Sequence, residues 1–400
     1  MAAEQRTQRQ RRVSEQEVLP VKVVQYTCDT DGSWHPEAPE PDEEVQLVLV
    51  FSGGKVLRKT EFPASVRKAF PAALITGCST AGEIADTQVN DGTGIVTAVR
   101  FDGTRVRGAQ VDVNGAEESM EAGRKLAAVL NGDGLRHIFV LSDGLNINGS
   151  ELVRGLLAGL PERVTITGGL AADGDRFRET WVIWDGTVRT KAIVAIGFYG
   201  DRLSVGYGSY GGWDQFGPDR LVTRAVGNTV YELDNKSALD LYKRYLGEHA
   251  RELPAAALLF PLSLGTRNGG MNTVRTILGV CEESGSMTFA GDVPQGSIVR
   301  LMKANFERLI DGASEAARIS LESTRADFPS LAILISCIGR KLILKQRVEE
   351  EVESVREVLG DQAALTGFYS YGEIAPFRPG AKCELHNQTM TITTFYERQP

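Results

Sequence analysis

Thr76-Gly77-Cys78-Ser79-Thr80-Ala81-Gly82-Glu83-Ile84-Ala85 and Thr366-Gly367-Phe368-Tyr369-Ser370-Tyr371-Gly372-Glu373-Ile374-Ala375 agree at six of ten positions without a gap. Upstream of each lies an apolar run ending in serine, residues 47–52 and 331–336, and a helical pattern separates run from motif. A weaker copy occupies the middle of the chain: a run ending at Ser142, a helical stripe to Leu160, then Thr167-Gly168 with Ala171-Ala172-Asp173 in place of Gly-Glu-Ile-Ala. The order strand, serine, helix, strand, Thr-Gly therefore occurs three times, and a repeat of that kind governs the fold. Near-continuous apolar strands separated by helices read as parallel strands covered on both faces. The expected class is α/β, with layered mixed β-sheets, crossover helices and an internal pseudo-repeat of the strand–helix–strand unit.

Outward from these motifs, residues 92–101 and 105–113 read as a hairpin turned at Asp102-Gly103. Residues 180–184, 188–199 and 203–210 read as a meander with turns at Asp185-Gly186 and Gly200-Asp201. Helices are expected over 117–130, 150–160 and 304–323 from their apolar spacing of three and four. Pro36, Pro39 and Pro41 lie in an acidic stretch that breaks regular structure. The division expected is a loose N-terminal tail over 1–44, one domain over 45–220 and a second over 221–400.

Composition limits the function. The 400 residues are 42% hydrophobic and 24% charged with net charge −8, ordinary globular proportions whose acidic balance argues against nucleic acid. Arg6, Arg9, Arg11 and Arg12 form a basic arm in a polar tail, read as solvated. Five scattered cysteines without a C-x-x-C suit a reducing compartment and argue against a disulfide framework or a zinc knuckle. With no signal-peptide core and no membrane-length apolar run, the expected location is the cytoplasm, with no membrane contact.

Ligands of open α/β sheets gather at the C-terminal ends of strands, where every Thr-Gly motif falls. Ser52, Thr76 and Glu83 are therefore expected around one site, and Ser336, Thr366 and Glu373 around a related one. Against this stands a structural turn in which each glutamate accepts backbone N–H bonds. Arg340, just past a strand end, has the fork shape that clamps a carboxylate. Tyr369 and Tyr371 of the second copy supply an aromatic lining, and Cys78, next to Gly77 in the first copy, is a further ligand candidate. A thiol or serine hydrolase using Cys78 or Ser79 is the competing enzymatic reading; no phosphate-binding glycine loop or metal spacing accompanies it, and the chain is read as a non-enzyme.

The segments G-C-S-T-A-G-E-I at 77–84, T-G-G-L-A-A-D at 167–173, C-I-G-R at 337–340, G-F-Y-S-Y-G-E-I-A-P at 367–376 and L-H-N-Q-T-M at 385–390 resemble the N-terminal and C-terminal regions of the FIST family. The resemblance covers roughly residues 45–396. It implies a sensory domain that binds a small ligand such as an amino acid and, in a stand-alone chain, signals in trans to a histidine kinase or other signalling protein. Some members bind haem and sense nitric oxide. No cofactor is required by this reading; for haem, His386 is the best axial candidate among four histidines.

Overall fold

The computed structural model describes residues 21–59, 61–253, 255–265, 271–324 and 329–399. The basic arm lies outside them. All three repeats are complete units, and each is longer than its motif. A unit consists of a leading strand, a core strand, a helical crossover, a second core strand parallel to the first, a two-stranded arm and a closing strand. In the first unit these are Val21–Cys28, Leu47–Ser52, the helices Gly54–Leu57 and Glu61–Ala69, Leu74–Ser79, the arm Glu83–Ala85 with Gln88–Asn90, and Gly94–Phe101. The second runs Arg105–Asp112, helix Ser119–Leu130, Leu135–Ser142, helix Gly149–Gly159, Thr165–Leu170, the arm Val182–Trp184 with Thr187–Arg189, and Ala192–Tyr199. The third runs Leu203–Tyr210, helix Phe306–Thr324, Leu331–Cys337, helices Ile338–Leu344 and Val348–Leu359, Ala364–Ser370, the arm Gly372–Pro376 with Cys383–His386, and Met390–Glu397.

The arms close the molecule into a ring. Each leaves its own unit and adds to the second core strand of another: second onto first, third onto second, first onto third. An isoleucine meets the motif glycine each time, as Gly77↔Ile183, Gly168↔Ile374 and Gly367↔Ile84. This exchange covers sheet edges that a lone unit would leave open. The glycines are required for a second reason. A Cβ on Gly77, Gly168 or Gly367 would lie 1.8 Å from the carbonyl oxygen of Val50, Val140 or Leu334, respectively, so only a bare Cα fits against the neighbouring strand.

Inward-facing side chains of all three units form one axial core. Leu47, Leu49 and Phe51, Phe139 and Leu141, and Leu331, Ile333 and Ile335 converge there with Cys78 and Phe368. Polar pairs stitch the same layer. Thr97 bonds Thr366 and Thr393 bonds Thr167, each at 2.8 Å between hydroxyls. The third pair is broken, because register places Ile196 where the other closing strands carry threonine. Thr76, left without that hydroxyl, is buried with an unpartnered Oγ1. His137 occupies the second unit's share of this interior, between the hydroxyls of Thr165 and Thr167, and burial lowers its pKa to about 3.

Several sequence expectations differ from this arrangement. Gly94–Phe101 and Arg105–Asp112 do not form a hairpin; the first pairs within the first unit's sheet and the second with Ala192–Tyr199. The three strands of the expected meander enter three different sheets. A short polar turn such as Asp102-Gly103 reads alike whether its strands pair or part. Val21–Cys28, expected in the loose tail, is a strand held along its whole length by Gly94–Phe101. Residue 220 falls inside strand Asp214–Val226.

That strand belongs to an insertion. Between Leu203–Tyr210 and helix Phe306–Thr324, the third unit carries an eight-stranded sheet with helix Ala238–Leu246 packed on its own apolar core. It is tied to the ring by an apolar cluster, in which Val274 and Met302 meet Leu309, Ile343 and Leu344, and by polar contacts. Arg275 Nη1 donates to the Leu385 carbonyl at 2.9 Å, Thr273 bonds Glu384, and Asp292 receives Arg154 at 2.8 Å and Asn148 at 3.2 Å. No helix among the described residues is long and apolar enough to cross a membrane.

Candidate functional site: a cleft between the second unit and the inserted sheet

The motif residues form interior corners. Glu83 is fully buried; it accepts the Thr93 N–H at 2.9 Å and hydroxyl bonds from Thr80 and Thr93. Glu373 repeats the arrangement with the Thr389 N–H at 3.2 Å, the Thr389 hydroxyl at 2.9 Å and the Ser370 hydroxyl at 2.6 Å. Each glutamate thus pins the start of its unit's closing strand. Burial raises their pKa values, to about 7 for Glu83 and about 8 for Glu373. Ser52 joins the first corner by donating to the Thr93 carbonyl at 2.9 Å. Thr76 and Thr366 point instead into the axial layer described above.

The third unit holds a second closed network. Arg340 is fully buried on helix Ile338–Leu344 and donates to Glu351 at 2.7 Å and to the Leu309 carbonyl at 2.6 Å. Glu351 also accepts from Ser336 at 2.8 Å and Tyr369 at 2.9 Å. Arg340 is therefore not positioned as a ligand clamp, since an internal carboxylate already takes its fork. Glu351 was hidden from sequence reading because it ends the acidic run Glu349-Glu350-Glu351, which reads as a solvated first turn although Glu351 falls on the buried face beside Val355. Cys78 is sealed in the axial core, where burial pushes its thiol pKa well up, and Ser79 Oγ accepts the Trp181 N–H at 3.0 Å. None of these side chains lines a described cavity.

His386 does not offer the open coordination face that haem needs. Its Nε2 lies 2.8 Å from the Ala375 carbonyl, it is 1% exposed, and burial lowers its pKa to about 4. Its unpartnered Nδ1 opens on no described cavity, so haem does not fit the residues around it.

Among the described residues and cavities, Tyr371 is the one expected ligand residue that lines a cleft. A cavity of about 240 Å³ lies at the C-terminal edge of the second unit's sheet, closed on its far side by the inserted sheet. Gly144, Leu145, Ile147 and Asn148 form its floor, Leu278, Phe289 and Gly291 its opposite wall, and Phe177 and Tyr371 its end. Asn148 is the N-cap of helix Gly149–Gly159, with Oδ1 accepting from Ser150 and Glu151. Leu145, Phe177 and Leu278 are among the few large apolar residues left exposed, and all three line this one cleft.

The cleft exists because the second unit departs from the others. From motif glycine to arm isoleucine the chain takes seven residues in the first and third units and fifteen in the second. The extra length carries Asp173 and Phe177. Tyr371 OH donates to the Asp173 carboxylate with the Gly174 carbonyl 2.7 Å away as an alternative acceptor for its one proton, and its ring stacks on Phe177 at 4.4 Å and 11°. Phe177 has φ 49°, a left-handed conformation strained for an aromatic residue and held here by its N–H to Tyr371 OH and by the stack.

Two domain models match the chain: the FIST N domain over residues 46–236 and the FIST C domain over 238–376. An uncharacterised protein of Methanocaldococcus jannaschii is 27% identical over 208 residues, 48% of this chain but 39% of that protein, so the match spans well under half of that relative. The crystal structure of a cyanuric acid hydrolase from A. caulinodans aligns over 95% of this chain and 99% of its own, at 8% identity and a TM-score of 0.35, a likeness too slight to argue from. The two domain matches together take in most of the folded ring and all of the insertion, and the chain belongs to the FIST family, whose domains are sensory domains of signal transduction.

Proposed function

We propose that this protein is a small-ligand sensor whose ligand occupies the cleft between the second unit and the inserted sheet. The observation that carries the reading is the strained Phe177 stacked on Tyr371 at the end of that cleft. Strain of this kind persists where surrounding structure over-determines it, and it gathers at ligand clamps. A volume of about 240 Å³ suits a metabolite smaller than a drug-sized molecule. The amino acids implied by family resemblance are one such class. Because the walls belong to the second unit and to the inserted sheet, a ligand that contacts both shifts the population of their closed arrangement. A separate signalling protein, of which a histidine kinase is one kind, reads that arrangement in trans.

The test is a thermal-shift screen of the wild type, Phe177→Ala and Leu278→Trp against amino acids and other small metabolites. A ligand that binds the native state raises the melting temperature. The expected result is a shift in the wild type that is lost in both variants, while the variants without ligand unfold as cooperatively as the wild type. A shift that survives Leu278→Trp places the ligand elsewhere.

A further inference from the structure

We infer that the ligand of this cleft is an uncharged planar ring bearing an amide-type edge, and not a zwitterion. The inference rests on the cleft being the ligand site. No lining residue carries a charge at neutral pH: the set is glycine, alanine, leucine, isoleucine, phenylalanine, two asparagines and Tyr371. The tyrosine hydroxyl is committed to Asp173 and Gly174. Several charges behind the walls are committed. Arg154 meets Glu151 and Asp292, Arg275 donates to the carbonyls of Asp292 and Leu385, and Asp143 accepts the N–H groups of Leu145, Asn146 and Lys191. An amino acid would bring a carboxylate and an ammonium group into this space with no counter-charge among the lining residues, a cost that disfavours it unless both stay in water.

What the cleft does offer matches a ring. Phe177 has one face covered by Tyr371, yet remains 40% exposed, giving an aromatic surface already locked in place. Two neutral polar groups stand ready. Asn228 Nδ2 donates to the Phe289 carbonyl at 2.7 Å, and its Oδ1 accepts from no described residue. Asn148 Nδ2 gives one hydrogen to Asp292 and keeps a second. An acceptor and a donor beside an aromatic plane are the complement of a heterocyclic amide such as a pyrimidine or a pyridine carboxamide. Single-ring size agrees with the volume.

Saturation-transfer NMR at millimolar concentration tests this with uracil and nicotinamide as ring probes and glycine, leucine and glutamate as zwitterions. The proteins are the wild type, Phe177→Ala, Asn228→Asp and Leu278→Trp. Expected is transfer to a ring probe, weakened about five- to a hundredfold in affinity by Phe177→Ala and abolished by Leu278→Trp. Asn228→Asp loses the Nδ2 bond to the Phe289 carbonyl and sets a carboxylate against that oxygen, which turns the acceptor away from the ring and weakens the ring probe as well. Amino-acid binding that Leu278→Trp abolishes overturns the ring class and keeps the cleft. Binding of either class that persists in Leu278→Trp overturns the cleft itself. Transfer to none of the probes overturns the ring class.

Discussion

The first and third units anchor their closing strands with a glutamate, Glu83 or Glu373; the second does it with Asp143, from another place in the chain. Register puts Val182 at the glutamate position of the second unit, and the Lys191 N–H at the start of its closing strand is accepted by Asp143 at 2.9 Å. The mechanical task is conserved while its executor moves. Freed from the short glutamate corner, the second unit's connection is eight residues longer and carries Asp173 and Phe177. A repeat that satisfies itself has no group to spare for a ligand. The unit that breaks the pattern is the one that builds a cleft.

The largest effect expected sharpens a contrast between the first and third units. Four residues after the strand-ending serine, the first has buried Val56 and the third has Arg340. Glu351→Ala leaves that guanidinium buried and unpaired, and should cost about 3–5 kcal/mol in chemical denaturation. Arg340→Met combined with Glu351→Gln removes the charge, keeps an acceptor for Ser336 and Tyr369, and should recover most of the loss. If the single and double variants are equally unstable, the ion pair is not what distinguishes the units.

A smaller effect follows from the two glutamates. Their folded pKa values, about 7 and about 8, lie above the ordinary value of 4.5. The native state therefore favours the neutral acid. The stability these acids contribute is fully present below pH 4.5 and is lost as pH rises through the two folded values. Between pH 5 and pH 9 the protein should lose stability from this source, most steeply below pH 7, where both acids release their protons on unfolding. Glu373→Gln should flatten the profile to higher pH than Glu83→Gln does. A profile unchanged by both substitutions would show that the corners hold ionised carboxylates.

The least change is expected where the ring's symmetry is broken. Thr366→Val and Thr167→Val each remove one hydroxyl of a buried pair and should cost about 1–2 kcal/mol. Thr76→Val removes a hydroxyl that has no partner and should stay within about 0.5 kcal/mol of wild type. Equal costs at all three positions, read from denaturant midpoints, would mean that Thr76 has the partner its relatives have.

Much of the scaffold was legible in the sequence. Apolar runs, helical stripes and Thr-Gly repeats are local signals, and they located the core strands and crossover helices of all three units. The structural reading of Glu83 and Glu373, as acceptors of backbone N–H groups, is what the geometry displays. The site was far less legible. Of the ten residues expected around ligands, only Tyr371 lines the cleft, because the others pin closing strands, fill the axial layer or belong to the third unit's closed network. Phe177 carried no motif; its one signal was the absence of Gly-Glu-Ile-Ala after Thr167-Gly168, a gap that reads as decay of the repeat until the longer connection is seen in place.

The sequence by itself determined that three similar α/β units would form, since strand and helix periodicities are set by neighbours along the chain. Tertiary structure alone decided which edge each arm would cover, that an asparagine from the insertion would face a helix cap of the second unit, and where a ligand could enter. Those outcomes depend on pairing between residues up to hundreds of positions apart, and a short turn or an exposed apolar side chain carries no record of the partner it will meet.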